Sequence, residues 1–188
     1  TWLSMISKDL EKIFNEAESH KNKGNFSEAI KLFLNILKTN PNFEPALNNV
    51  ANCYFQINKT DLAEEYYLKC ININQNNLLT LNNLAILYLK IKKFQKAFEY
   101  LNFSLKKNSN QEQVVEKMSY CLSALNLSNE LDDFSKKFIE VYPKNKIILS
   151  YYRRNLFKIG RYKEGLEAYQ KETGVIEFDD DNINIISK

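Results

Sequence analysis

Apolar residues return at helical spacing along most of this 188-residue chain. Leu47, Val50, Ala51 and Tyr54 fall on one face of a helix, and so do Leu81, Leu84, Ala85 and Tyr88. The two stretches around them, ALNNVANCYF at 46–55 and TLNNLAILYL at 80–89, are near copies offset by 34 residues. The offset recurs elsewhere: Pro41 and Pro143 differ by 102 = 3 × 34, and Gly24 and Gly160 by 136 = 4 × 34. The pattern predicts five units, at 10–43, 44–77, 78–111, 112–145 and 146–179, each with a helix A, a turn and a helix B of roughly 10–14 residues per helix.

Column by column, the units agree. The eighth position reads Ala17, Ala51, Ala85, Ser119, Arg153, and the twentieth reads Ala29, Ala63, Ala97, Leu131, Gly165. Small residues there let two helices approach closely. Large ones fill the remaining space: Phe26, Phe94 and Tyr162 at the seventeenth position, and Phe33, Tyr67 and Leu101 at the twenty-fourth. The turn column reads Gly24, Asn58, Lys92, Asn126, Gly160, and four of these five are residue types that tolerate a left-handed helix C-cap.

These residues resemble the tetratricopeptide repeat family, whose motif W-x-x-L-G-x-x-Y … A … F … A … P stands here as Leu47, Val50, Ala51, Tyr54, Ala63, Tyr67 and Cys70. The third unit matches with Leu81, Leu84, Ala85, Tyr88, Ala97 and Leu101, and the likeness spans about nine-tenths of the chain. Units four and five depart from the motif at Leu131, Ser135, Arg153 and Gly165. The resemblance implies an all-α fold, an α-α superhelix in which stacked helix pairs form a right-handed solenoid with helices A lining a concave wall. Residues 1–9, whose Trp2 and Ile6 share helical spacing with Leu10 and Ile13, are expected to extend the first helix or to complete an upstream one. Residues 173–188 alternate β-branched positions around Asp179, Asp180 and Asp181, and read as a strand pair, a tail or the entrance to a further domain. The three aspartates lack the spacing of a calcium loop and read as a solvated turn.

The asparagines of the opening phrases then acquire a place. The sixth position reads Asn15, Asn49, Asn83, Lys117, Tyr151. In the family this position faces the groove, so three amides are expected one above another, each able to donate to and accept from a peptide bond. The long peptide-binding superhelix of the eukaryotic O-linked N-acetylglucosamine transferase is similar, with an asparagine ladder in that column. Asn48 and Asn82 flank it at the fifth position, and Asn52 stands at the ninth. Because the chain is rich in Asn throughout, tolerated surface is the competing reading. The family's carboxylate clamp fits less well: Asn52 and Asn83 suit it, but Asn48 and Gln113 stand where lysines are required, and Lys117 is the one remaining cation. Lys117, Arg153 and Arg154 offer charge for an acidic segment, while Phe55 and Phe157, at the twelfth position, are candidate apolar pockets.

Composition narrows the function classes. With 44% hydrophobic residues the chain can bury a core of ordinary size, and its net charge of +3 is spread without blocks, giving no electrostatic case for nucleic acid or a membrane surface. Cys53, Cys70 and Cys121 are odd in number and sit in apolar helical patterns, which predicts buried reduced thiols and a cytoplasmic protein. His20 is the single histidine and occupies a packing column; no nucleophile–base pair, Gly-rich phosphate loop or metal-ligand spacing accompanies it, so neither catalysis nor a cofactor is expected. The expected role is a protein–protein interaction scaffold that binds an extended peptide. The alternative is the recognition arm of a larger enzyme such as a glycosyltransferase, since a chain beginning at Thr1 reads as a piece of something longer and residues 155–170 resemble a repeat that precedes bacterial catalytic domains. Uncapped end repeats add a third possibility, a homo-oligomer.

Overall fold

A computed structural model describes residues 8–179 and 182–187; Trp2 and Ile6, and Asp180 and Asp181, lie outside the described residues. Among the described residues ten helices follow in order: α1 Lys8–Asn22, α2 Phe26–Thr39, α3 Glu44–Gln56, α4 Thr60–Ile73, α5 Leu78–Lys90, α6 Phe94–Lys107, α7 Glu112–Ala124, α8 Ser128–Val141, α9 Lys146–Lys158 and α10 Tyr162–Thr173. They make an all-α tetratricopeptide-type repeat fold. Helices A from α3 onward begin at residues 44, 78, 112 and 146, each one period of 34 after the last, and each is 13 residues long. Helices α2, α4, α6 and α8 are all 14 residues long.

The turn between helices A and B is the same in all five repeats. Gly24, Asn58, Lys92, Asn126 and Gly160 all take a left-handed backbone, with φ between 58° and 80°. Around each, the following N–H reaches back five residues, as in Asn25 N to His20 O at 2.9 Å and Leu127 N to Leu122 O at 3.0 Å, and the left-handed residue's own N–H reaches back three. This pair of bonds satisfies carbonyls that the end of helix A would otherwise leave open. Two of the turn asparagines add a bond to the next repeat: Lys90 Nζ donates to Asn58 Oδ1 at 2.7 Å, and Lys158 Nζ to Asn126 Oδ1 at 2.9 Å.

The helices group into two compact units, 1–93 and 94–188. In the first, Ala17, Ala29, Ala51, Ala63 and Ala85 are fully buried, and Phe33, Tyr67, Leu84 and Leu87 fill the space between helices. In the second, Leu131, Ile148, Leu149 and Leu156 take that role, and the fifth repeat closes differently. Arg153, at the normally small eighth position, donates from Nε to Glu172 at 2.8 Å and lays its guanidinium over the Tyr169 ring, 4.7 Å away. Gly165 makes room for Phe157, whose ring lies 3.2 Å from where a Cβ would stand. Phe157 is therefore a packing residue between α9 and α10, in contact with Tyr162, and not an open apolar pocket. Asp132 binds Lys136 Nζ at 2.8 Å and Arg161 Nη1 at 2.7 Å; burial pushes its carboxyl pKa up, but the two cations outweigh burial and hold it below the ordinary value.

The fifth repeat stops short of the predicted boundary at 179. Helix α10 ends at Thr173, and β1 (Gly174–Asp179) pairs antiparallel with β2 (Asn182–Ser187), with Gly174 opposite Ser187 and Asp179 opposite Asn182. Gly174 turns the chain out of the helix at φ 110°.

A second device joins consecutive repeats. Asn77 caps α5, its Oδ1 accepting Thr80 N–H at 3.1 Å, while its Nδ2 donates to Glu44 at 2.8 Å. Asn145 repeats the arrangement 68 residues later: Oδ1 accepts Ile148 N–H at 3.0 Å, and Nδ2 reaches Glu112 and Glu116, each at 2.7 Å. Each amide thus caps one helix A and ties it to a glutamate on the helix A before it. Asn145→Ala is expected to lower stability by about 1–2 kcal/mol in a denaturant titration, from a lost cap and a lost amide–carboxylate bond. Lys92 is the one turn residue that is neither Gly nor Asn, so Lys92→Gly is expected to raise the unfolding midpoint by about 1 kcal/mol of stability, whereas Asn58→Gly gains less because it loses the Lys90 bond.

Candidate functional site

The first unit carries a groove of about 710 Å³. Its walls come from α1, α3 and the α4–α5 turn: Phe14, Lys21, Phe43, Asn48, Asn49 and Asn52 face it, with Leu79 at its edge. Leu79 is 61% exposed, a large apolar side chain left standing in solvent. Phe14 is braced by Phe33 and Phe43, both edge-on at 5.5 and 5.7 Å, so the apolar wall is held in one orientation.

Asn48, Asn49 and Asn52, three of the five asparagines that line the groove, share a feature that spacing alone does not disclose. Each has its side-chain oxygen occupied from within the protein. Asn49 Oδ1 accepts Lys21 Nζ at 2.8 Å, and the same ammonium reaches Glu18 at 3.2 Å. Asn48 Oδ1 accepts Thr80 Oγ1 at 3.3 Å and Asn83 Nδ2 at 3.2 Å. Asn52 Oδ1 accepts the Tyr67 hydroxyl. No hydrogen bond among the described residues engages the Nδ2 of Asn48, Asn49 or Asn52, so donors are what the three amides have left to offer. Amides satisfied on one side only, buried at Asn48 and Asn49 and half-buried at Asn52, are competent to bind an acceptor on the other.

The sequence-predicted residues are thus divided. Asn48, Asn49 and Asn52 meet in the groove. Asn83 is turned to Asn48 instead, so the sixth-position amides form no three-rung ladder in it; Asn15 is exposed on α1, and Asn82 is half-buried on α5 outside the groove lining. Lys117 stands half-buried on α7, in the second unit. Lys21 was not singled out from sequence, although the twelfth column that holds it also supplied the apolar candidates. Phe55, of that column, lies under the Lys90 ammonium at 4.6 Å.

Among the described residues there is no cluster of three or more His, Cys, Asp or Glu placed to hold a metal ion. His20 is half-buried on α1. No helix among the described residues is long and apolar enough to cross a membrane.

Tetratricopeptide repeat profiles match residues 45–77 and 66–99, the stretch holding α3 to the start of α6. The chain is a tetratricopeptide repeat protein. No curated protein matches it in sequence. Among solved structures, its repeats are similar to those of MamA. One MamA crystal structure superposes with a TM-score of 0.80 at 17% identity, covering 89% of this chain and 91% of that one. A double mutant of MamA RS-1 gives 0.81 at 12% identity over 88% and 93%, and a further MamA crystal structure gives 0.77 at 18% over 83% and 91%. Identities this low establish shared fold. The repeats and the fold together support a protein–protein interaction scaffold, a fold type that is typically non-catalytic.

The three cysteines of this tetratricopeptide array serve packing. Burial pushes the thiols of Cys53 and Cys121 up to about 11, and that of Cys70 upward as well. Cys70 Sγ lies 3.3 Å from the Thr80 hydroxyl beneath the groove. An aromatic disulfide reagent at pH 8 is expected to titrate none of the three thiols rapidly in the folded chain and all three after denaturation; rapid native labelling would show an accessible thiolate.

Proposed function

We propose that the chain is an interaction scaffold whose first unit binds an extended peptide segment in the groove between α1, α3 and the α4–α5 turn. The observation that carries this reading is the convergence of three asparagines, their oxygens committed within the protein and their Nδ2 donors uncommitted, on a groove with an apolar wall. An extended chain presents a carbonyl oxygen at every residue, and amide donors fixed from behind can pair with such oxygens without selecting a side chain. The occupant would supply acceptors to Asn48, Asn49 and Asn52 and lay one apolar side chain against Phe14, Phe43 and Leu79. Lys21 positions Asn49 and adds a cation at the edge, with Glu18 beside it, so a strongly charged ligand of either sign meets an opposing group.

Fixing the amides from within reduces the entropy an occupant must remove, which favours binding over a row of mobile side chains. A displayed-peptide selection against the folded chain tests the reading. Selected peptides are expected to lose about 1–3 kcal/mol of affinity when Asn49→Ala and Asn52→Ala are combined, with helicity unchanged. Affinity untouched by that pair, in a chain that still folds, removes the groove from the account.

A further inference from the structure

In the second unit, the junction of the fourth and fifth repeats exchanges apolar packing for a polar cavity. One repeat earlier, Phe94 stands edge-on to Tyr120 with ring centroids 5.8 Å apart, and Cys121 Sγ donates to Phe94 O at 3.1 Å. The same three columns one period later hold Ser128, Arg154 and Asn155. Asn155 Nδ2 donates to Ser128 O at 2.8 Å, so the same column holds the same backbone oxygen and the two junctions are built alike. The chemistry around that shared bond is what changes. In place of a ring pair stand a hydroxyl and a guanidinium, and a cavity of about 70 Å³ lies between α7, α8 and α9.

The lining of this cavity is rich in donors. Ser123 comes from α7, Ser128 from α8, Arg154, Asn155 and Lys158 from α9, and Asn126 from the turn, with leucines between them. Arg154 and Lys158 are four residues apart and share a helix face. Lys158 Nζ donates to Asn126 Oδ1 at 2.9 Å, which ties the ammonium to the turn and leaves it two further N–H groups. Asn155 is 4% exposed, an amide in a column that holds Cys53, Leu87 and Cys121 in the three preceding units. A buried amide costs free energy where a thiol or a leucine would not, so packing alone does not account for it. Among the described residues that line the cavity, none carries a carboxylate.

We propose that this cavity binds one phosphate group, with Arg154 and Lys158 supplying charge and Ser123, Ser128 and Asn155 supplying neutral donors. The volume is far below the roughly 300 Å³ of small-molecule pockets, too small for a nucleotide and suited to a single four-oxygen anion. A tetrahedral anion points oxygens in four directions and can meet donors from three helices at once, which a planar carboxylate cannot. Charge-assisted bonds from guanidinium and ammonium are the stronger part of such a site. The site lies within the second unit and does not rest on the peptide groove of the first.

The test is calorimetric titration of the full chain, near neutral pH and at constant ionic strength, with inorganic phosphate, with phosphoserine blocked at both ends, and with acetate. Phosphate or phosphoserine is expected to bind at least about tenfold more tightly than acetate. Tighter binding of the ion assigns the site to free phosphate, and tighter binding of the ester to a phosphorylated side chain. Arg154→Ala with Lys158→Ala should weaken binding at least about tenfold, while Lys144→Ala with Lys163→Ala, which removes equal charge elsewhere, should change it less than about twofold. Ser128→Phe restores the ring that Phe94 supplies one repeat earlier; it should abolish binding while leaving the circular dichroism spectrum and the thermal midpoint intact or raised. Ser128→Ala, which removes one hydroxyl and adds no bulk, should weaken binding only about threefold. Phosphate and phosphoserine held no more tightly than acetate, equal loss in the cavity and control pairs, or undiminished binding by a folded Ser128→Phe variant would each overturn the proposal.

Discussion

Every repeat depends on one backbone constraint: a single residue in the left-handed region, closed by two reverse hydrogen bonds, that ends helix A and starts helix B. Ordinary residues avoid that region because Cβ crowds the following carbonyl. Where the turn residue is Gly, that cost vanishes; where it is Asn, a short polar side chain softens it. The repeat fixes this turn identically whether or not its residue is suited to it, since Lys92 adopts φ 59° in line with the others. The surrounding helices, packed through alanine columns with no exposed surface, outweigh the local preference. From that one turn follow the angle at which helices A and B meet and the face that each repeat offers to the next.

Asparagine then emerges as a construction material with three uses. At the turns, Asn58 and Asn126 accept from the next repeat's lysine. At the seams, Asn77 and Asn145 cap a helix and hold a glutamate. In the groove, Asn48, Asn49 and Asn52 are fixed through their oxygens, and no hydrogen bond among the described residues engages their Nδ2 donors. The amide suits all three because it carries donor and acceptor on one short, uncharged arm, so that one half can be committed to structure while the other remains available.

Much of this was legible in sequence because a period of 34 needs only small, large and turn residues at fixed columns, and those columns are set by backbone geometry. The helix starts, the five left-handed turns and the buried alanines all lie where that period puts them. The fifth repeat was harder to read. Arg153 departs from the motif in a small-residue column, but its guanidinium lies over the Tyr169 ring and its charge is met by Glu172, a partnership 19 residues away that no column reveals. The groove was partly legible for a related reason. Asn49 and Asn83 share a column, yet only one repeat has Lys21 in front of it and only the other has Asn48 behind it, so identical positions acquire different hydrogen bonds. Columns fix where a side chain emanates; its partners depend on the neighbouring repeat's residues.

The seam formed by Asn77 and Glu44 recurs in the same register as that formed by Asn145 and Glu112, at a distance of two repeats. Because each coupling includes the same asparagine–glutamate bond at the same spacing, the stretch from one to the other can be exchanged at these two points. Cutting at both asparagines and rejoining would shorten the array by a helix quartet while leaving a native coupling at the splice, and inserting a copy would lengthen it by the same rule. Through this bond, array length can change while the coupling at the splice is kept.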